Sequence, residues 1–278
     1  MDLRKLRYFL AVARHLHFGR AAAELHIAQP VLSRQIRALE HELHAELFRR
    51  DRRSTELTDA GRQLLADAAP LLTAAEGLRR RVARAARGRD RLVVAFMPGL
   101  IVTEAVRRMR QRHPGLTVDV LRTGWADQVE VLRDGRADLS YLRLPADRHG
   151  LTVRPLFTEP RVAVVPAGHR LAGKESVTIA DLGGDPVLQD PEAVPEWRDV
   201  ATVGAAALPA TVTVEEKLEH VAAGLGLVVL PLSTARFYTR PDVSVVPISD
   251  ISENAVVLAW LARRRDPMLT EFAELAPG

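Results

Sequence analysis

With 278 residues, 47% of them hydrophobic, and no cysteine, the chain is long enough to bury two cores and cannot form a disulfide, a thiolate nucleophile or a cysteine-ligated metal site. The net charge of +4 conceals a division: residues 1–91 hold 19 Lys+Arg against 11 Asp+Glu, net +8, and residues 92–278 hold 20 against 24, net −4. A basic amino-terminal part joined to a mildly acidic larger part fits a polyanion binder coupled to a second function, the alternative being an ordinary solvated basic face. The segment MDLRKLRYFL is charged and helical in period. The longest apolar stretch, around AGLGLVVLPL, is too short to span a bilayer, so a cytoplasmic location and no membrane partner are expected.

Leu3, Leu6, Phe9, Leu10, Ala13 and Leu16 recur at helical spacing and predict a first helix over 3–15. A second short helix is expected over about 19–25, GRAAAEL. Next comes AQPVLSRQIRALE, residues 28–40, in which Leu32, Ile36, Leu39 and then Leu43 step by four, three and four, one stripe of a helix. Pro30 suits its first turn, where the missing N–H is not needed. Gln29, Ser33, Arg34 and Arg37 fall away from the stripe and must face something polar. Three short helices, the last two joined by a turn at His26–Ala28, predict a helix-turn-helix. LFRRDRRSTELTDAG then reads as a two-stranded wing, whose Arg49, Arg50, Arg52 and Arg53 suit phosphate contact unless they form only an unpaired basic loop.

From Thr58 the pattern changes. Gly61, Leu64, Ala68, Leu71, Ala75, Leu78, Val82 and Ala85 step by three and four, which predicts a long helix pairing with its copy in a second subunit, unless the stripe packs on its own domain. Pro70 is expected to kink it.

GRD at 88–90 reads as a hinge, after which strand-like and helix-like runs alternate. RLVVAFM, LTVDVL and DLSYLRL are expected strands, with TEAVRRMRQRH and WADQVEVLRDG as helices between them. A second set is expected from RVAVVP, PVLQ, TVTV and LVVLP, with EEKLEHVAAG as a helix. VSVVPI leads into AVVLAWL, which returns to the first sheet before a closing helix from about Pro267. These are βαβ units, and two α/β lobes joined by two crossing strands leave a cleft. Phe96-Met97-Pro98-Gly99 places backbone N–H groups near a helix start, a natural seat for an anionic group. Trp125 opens the next helix, where it either stacks an aromatic ligand or anchors packing, and Gln189 follows the strand PVL as a further candidate.

Residues 3–62, LRKLRYFLAVARHLHFGRAAAELHIAQPVLSRQIRALEHELHAELFRRDRRSTELTDAGR, closely resemble the DNA-binding region of the LysR-type transcriptional regulators. The remainder agrees in order and length with that family's linker helix and effector-binding region, through phrases such as DGRADLSYLRLP, FTEPRVAVVPAGHRLA and VEEKLEHVAAGLGLVVLP. The resemblance implies an α+β multidomain fold: a winged helix-turn-helix over 1–58, a linker and dimerisation helix over 59–88, and a two-lobed α/β effector-binding domain of periplasmic-binding-protein type over 89–278. Lobe I would take about 89–160 and 248–278, and lobe II about 161–247.

It further implies that the helix beginning at Gln29 enters the major groove. Gln29 and Pro30 would approach base edges, Ser33 and Arg34 bases or adjacent backbone, Arg37 a phosphate, and Arg53 on the wing the backbone or minor groove. The partners implied are double-stranded DNA carrying an interrupted inverted repeat, a second copy of the chain in a dimer or tetramer, and RNA polymerase. No cofactor is implied beyond a small-molecule effector between the lobes. Arg143 matches a family position that grips acidic effectors, and with Met97, Pro98, Trp125 and Gln189 it makes up the expected site for an acidic metabolite, with an aromatic acid the favoured kind. The alternative for Arg143 is an interlobe salt bridge.

The sequence departs from the family pattern in places. Ala28 stands where relatives often have Ser or Thr, losing a side-chain cap. His44 replaces a frequent glycine at a position that suits a left-handed backbone, and the alanine-rich stretch between Trp197 and Thr211 is short. A DNA-binding architectural protein with a vestigial cleft is the second reading. An enzyme finds little support: HELH at 41–44 has the wrong spacing for a zinc-binding HExxH, Gly224-Leu225-Gly226 runs on into apolar strand, and no catalytic or metal-ligating set is expected among the nine scattered histidines.

Overall fold

The computed structural model describes residues 2–50, 55–87, 90–190, 193–204 and 213–276. It divides into two compact units, Met1–Val82 and Ala83–Gly278. In the first, α1 (Leu3–His15), α2 (Phe18–Glu24) and α3 (Gln29–Leu43) precede an antiparallel pair, β1 (Phe48–Arg50) and β2 (Thr55–Leu57), and then the long α4 (Asp59–Arg87). The Asp2 carboxylate accepts from the Arg4 N–H at 2.9 Å and caps α1. His17 Nδ1 accepts from the Arg20 N–H at 3.1 Å and caps α2. Both satisfy donors that a helix start leaves unpaired. Leu6, Phe9 and Val12 of α1, Ala21 and Ala22 of α2, and Leu32, Ile36 and Leu39 of α3 form one core. Each large apolar side chain so buried contributes roughly 1.5–3 kcal/mol. The Phe48 ring lies 5.3 Å from that of Phe9 and 5.8 Å from that of Phe18, so the first wing strand is pinned to the helices.

Two contacts fix where α4 starts. The Thr58 hydroxyl donates to the Glu46 carbonyl at 2.6 Å and accepts from the Gly61 N–H at 3.0 Å. A Cβ on Gly61 would lie 2.2 Å from the Leu47 carbonyl oxygen, so only glycine lets the helix approach so closely. The helix runs on through Pro70. Its expected seam divides. Gly61 and Ala68 are buried, with Ala60, Leu64 and Leu72 packed beside Ala68 on the core of their own domain. Leu71, Leu78 and Val82 are 43%, 56% and 61% exposed.

The second unit carries two sheets. The larger has the order β4-β3-β5-β10-β6, built from β3 (Arg91–Phe96), β4 (Thr117–Arg122), β5 (Leu139–Arg143), β6 (Leu151–Glu159) and β10 (Asn254–Leu261). β3 runs parallel to β4 and β5, and β10 lies antiparallel between β5 and β6. On one face α5 (Thr103–Arg112) and α10 (Pro267–Leu275) bury Ala105, Met109, Leu269 and Phe272 against Val94, Tyr141 and Leu258. On the other face the short α6 (Glu130–Arg133) packs Val131 and Leu132 on Ala95, Leu142 and Val257.

The smaller sheet has the order β8-β7-β9, from β7 (Arg161–Pro166), β8 (Val228–Pro231) and β9 (Val243–Pro247), and is antiparallel throughout. Around it lie α7 (Pro195–Arg198), α8 (Val214–Ala222) and α9 (Leu232–Phe237). The chain passes between sheets twice, at Pro160 and over residues 248–253.

Four local expectations change. The second lobe is not built of parallel βαβ strands: PVLQ survives only as a parallel bridge between Val187 and Leu227. Of TVTV, residues 211 and 212 lie outside those described, while Thr213 caps α8 and Val214 opens it. The Thr213 hydroxyl and the Glu216 carboxylate exchange bonds with each other's backbone N–H, a capping box. The run WADQVEVLRDG yields helix only at Glu130–Arg133, so Trp125 sits in a turn rather than at a helix start. Finally β6, unanticipated, holds Pro155 on an edge strand, where the register of β10 shifts between Val256 and Val257.

Candidate functional site

Helix α3 presents the residues expected to read DNA. Leu32, Ile36 and Leu39 are its buried stripe, which leaves Gln29, Pro30, Arg34 and Arg37 exposed and Ser33 half-buried on the outer surface. None of Gln29, Ser33, Arg34 and Arg37 has a side-chain hydrogen bond or ion pair among the described residues. Neighbouring cations on the same domain are otherwise committed: Lys5 pairs with Glu42, and Arg14 with Glu24 at 2.9 Å. The Glu40 carboxylate accepts from the Leu47 and Phe48 N–H groups at 3.1 and 3.3 Å, locking the end of α3 to the first wing strand. The helix therefore offers guanidinium and amide groups whose donors are unspent, on a rigid support. That is what base edges and phosphates require. Ala28 gives α3 no side-chain cap, and His44 closes it in the left-handed region at φ 50°. Arg49 is exposed on the wing, while Arg53 lies outside the described residues.

The expected effector residues fare differently. Arg143, at the end of β5, is 2% exposed and both of its Nη groups are engaged. Nη1 pairs with the Glu159 carboxylate and donates to Asn254 Oδ1 at 3.1 Å. Nη2 donates to the Pro98 carbonyl at 3.3 Å, Ser233 Oγ at 2.9 Å and Thr234 Oγ1 at 3.2 Å. Glu159 in turn accepts from the Ser233 N–H at 2.7 Å. Burial pulls the Arg143 pKa down and the adjacent Glu159 carboxylate opposes it. Arg143 thus bolts lobe I to the start of α9 in lobe II, the salt-bridge alternative, and has no fork left for a ligand.

The expected anion seat is occupied too. The Pro98 carbonyl also accepts from the Thr234 hydroxyl at 2.9 Å. A Cβ at Gly99, whose φ is +82°, would fall 2.6 Å from the Thr234 backbone, so α9 itself fills the space before α5. Met97 is buried among Leu139, Tyr141 and Phe272 rather than lining a cleft. Trp125 is partly exposed on its turn, and Gln189 is half-buried, its Oε1 accepting from the Val229 N–H at 2.9 Å. Of the five expected residues, only Pro98 and Arg143 meet.

A cavity of about 370 Å³ opens instead beside the crossing strands. Leu144, Pro145, Ala146 and Arg148 from the loop after β5 line one side, Ala193, Pro195 and Glu196 another, and Arg161 with 252–255 the floor. Arg161 ties the walls together: it pairs with Glu196, and donates to the Ser252 carbonyl at 2.7 Å and the Ser252 hydroxyl at 2.8 Å. Burial raises the Glu196 pKa, but the Arg161 and Ser252 hydrogen bonds outweigh it and hold the carboxyl below its ordinary range. No single run of sequence pointed here, because the wall comes from four separated segments. The one local sign was Pro160-Arg161, a charge set at the lobe crossing.

These two arrangements, an outward-reading third helix and a two-lobed domain with a cavity at its crossing, have clear relatives. Residues 3–62 match the bacterial regulatory helix-turn-helix of the lysR family, and residues 85–277 match the LysR substrate binding domain. The chain belongs to the LysR family of transcriptional regulators. This LysR-type chain is 34% identical to the uncharacterized HTH-type transcriptional regulator YnfL of Escherichia coli, over 94% of its own length and 91% of the relative's. It is 31% identical to the Hca operon transcriptional activator HcaR of the same organism, over 98% and 96%. Full-length CbnR, solved in complex with its target DNA, aligns over 99% of this chain and 98% of that one, with a TM-score of 0.59 and 25% identity. As a LysR-type regulator the chain binds DNA and carries an effector-binding domain. No described helix is long and apolar enough to cross a membrane.

Proposed function

We propose that this LysR-type chain is a sequence-specific regulator that reads an interrupted inverted repeat through α3 and is modulated by a small molecule held in the cavity beside the lobe crossing. The observation that carries the DNA reading is the outward face of α3, where the Gln29, Ser33, Arg34 and Arg37 side chains have no partner among the described residues. Gln29, Pro30, Ser33 and Arg34 take the base edges and nearby backbone, Arg37 a phosphate, and Arg53 the backbone beside the wing. Two copies pair through the exposed stripe of α4, and a tetramer and contact with RNA polymerase belong to the same reading. The effector sits against Arg148 and Glu196, with Trp125 and Gln189 as outlying contributors; the Arg143 assembly acts as the bolt between lobes rather than as a ligand clamp.

The test is fluorescence anisotropy of the full chain on its own upstream intergenic DNA against a scrambled duplex of equal length, at one stated salt, with and without a panel of small acids and amino acids. Selective binding that one compound shifts supports the whole reading. Arg34→Ala is expected to cost about 1–3 kcal/mol on the specific duplex, the value of a bidentate base contact, and far less on the scrambled one. An equal loss on both duplexes makes Arg34 a phosphate contact, and equal wild-type affinity for both removes sequence reading.

A further inference from the structure

The cations of the first three helices and the first wing strand are sorted by element. All four on α1 face a carboxylate: Arg4 has Asp2 at 3.7 Å, Lys5 has Glu42, Arg7 has Glu76 at 3.0 Å and Arg14 has Glu24 at 2.9 Å. Arg20 on α2, Arg34 and Arg37 on α3 and Arg49 on β1 are exposed and have no carboxylate among the described residues. The last three belong to the recognition helix and the wing. Arg20 belongs to neither, and its charge stands open although a carboxylate lies within reach of its helix.

On a helix surface the usual partner of an arginine is a carboxylate three or four positions away, and Glu24 stands four after Arg20. That carboxylate is claimed from α1 instead, Oε1 by Arg14 at 2.9 Å and Oε2 by His15. Arg20 donates from Nη2 to the His15 carbonyl at 3.0 Å, and its backbone N–H donates to His17 Nδ1 at 3.1 Å. A neutral carbonyl fixes the guanidinium in place and leaves its charge uncancelled. Nε and Nη1 have no partner among the described residues. The outcome is a cation held on a short tether to the end of α1, with donors to spare.

The first turn of α2 also touches both elements that meet DNA. A Cβ on Gly19 would lie 3.9 Å from Gln29 Oε1, so residue 19 abuts the first side chain of the recognition helix. The Phe18 ring meets the Phe48 ring of the wing strand edge-on at 5.8 Å. In a helix-turn-helix the helix before the recognition helix crosses the sugar-phosphate backbone. We infer that Arg20 binds a phosphate of the bound duplex beside Gln29, through the donors that the His15 carbonyl leaves free. Such a contact carries no sequence information; it sets the register and angle at which α3 enters the groove. Glu24 contributes by staying with α1, because an Arg20–Glu24 pair would cancel the charge that the phosphate needs.

The experiment is fluorescence anisotropy of the full-length chain on the scrambled duplex at several salt concentrations, with Arg20→Gln, Arg20→Lys and Arg7→Gln beside the wild type. Because the duplex is scrambled, the result does not depend on whether α3 reads sequence. The slope of log K against log salt counts phosphates neutralised, and a change that only loosens the fold lowers affinity without moving it. Arg20→Gln keeps a donor for the His15 carbonyl and removes the charge; it is expected to make the slope shallower by about 0.9 for each copy bound. Arg20→Lys keeps the charge and is expected to hold the slope, with affinity within about threefold of the wild type. Arg7→Gln removes a cation that Glu76 already neutralises and is expected to leave the slope unchanged. An unchanged slope in Arg20→Gln overturns the phosphate contact. An equal fall in Arg20→Lys overturns it as well, by making the effect structural, and an equal fall in Arg7→Gln does so by making it one of net charge.

Discussion

At the scale of single residues, Arg143 carries the largest energetic consequence. A guanidinium 2% exposed, paired with a carboxylate that is itself buried, is stable only while both partners and their hydrogen bonds are in place. Arg143→Ala strands the Glu159 charge in a dry junction and frees Pro98, Ser233 and Thr234 from a shared donor. The expected loss is about 3–5 kcal/mol, the cost of breaking a buried pair on one side. Urea unfolding followed by tryptophan fluorescence measures it, because Trp125, Trp197 and Trp260 all lie in the second unit. An unchanged midpoint means the fork is dispensable and returns Arg143 to the ligand site. Sequence could place Arg143 at a strand end near a lobe junction but not decide between ligand and carboxylate, since Glu159 belongs to a strand with no clear periodicity. By contrast the left-handed turn at His44 was readable from the missing glycine alone.

Among the elements, α4 is the one whose sequence pattern served two masters. A strict three-and-four stripe predicts a partner along its whole length, but the first half already has one, the core of its own domain around Ala68 and Leu72. Among the described residues of the stripe, Leu71, Leu78 and Val82 stay exposed, and that half can pair with a second copy. Leu78→Arg places two like charges in such a seam and is expected to shift the protein from dimer to monomer by sedimentation velocity. Leu65→Arg adds the same charge to an exposed leucine off the seam and should leave the dimer intact. Dimers that survive Leu78→Arg remove the pairing helix. Elements held by local signals were legible: helices with capped ends and apolar stripes, and strands of continuous valine and leucine. Those held by tertiary context were not: β6 carries a proline and alternates poorly, and TVTV has strand propensity but begins a helix because Thr213 and Glu216 close a capping box.

For the whole molecule, the informative quantity is the split of charge, net +8 over residues 1–91 and net −4 over residues 92–278. Net charge of +4 alone would suggest only weak attraction to DNA; concentrated in the part that carries α3, the cations can displace the counterions condensed on a duplex. Each phosphate neutralised lowers the slope of log K against log salt by about 0.9. Arg37, one turn beyond Arg34 and without a carboxylate partner among the described residues, is assigned to a phosphate rather than a base. A dimer carries the residue twice, so Arg37→Ala should make the slope shallower by about 1.8, weaken specific and scrambled duplexes alike, and leave their ratio unchanged. Anisotropy titrations at several salt concentrations on both duplexes read all three quantities together. An unchanged slope with a reduced ratio would show that Arg37 reads a base, and the division of labour along α3 would then have to be redrawn with the base contacts extending a full turn further from its start.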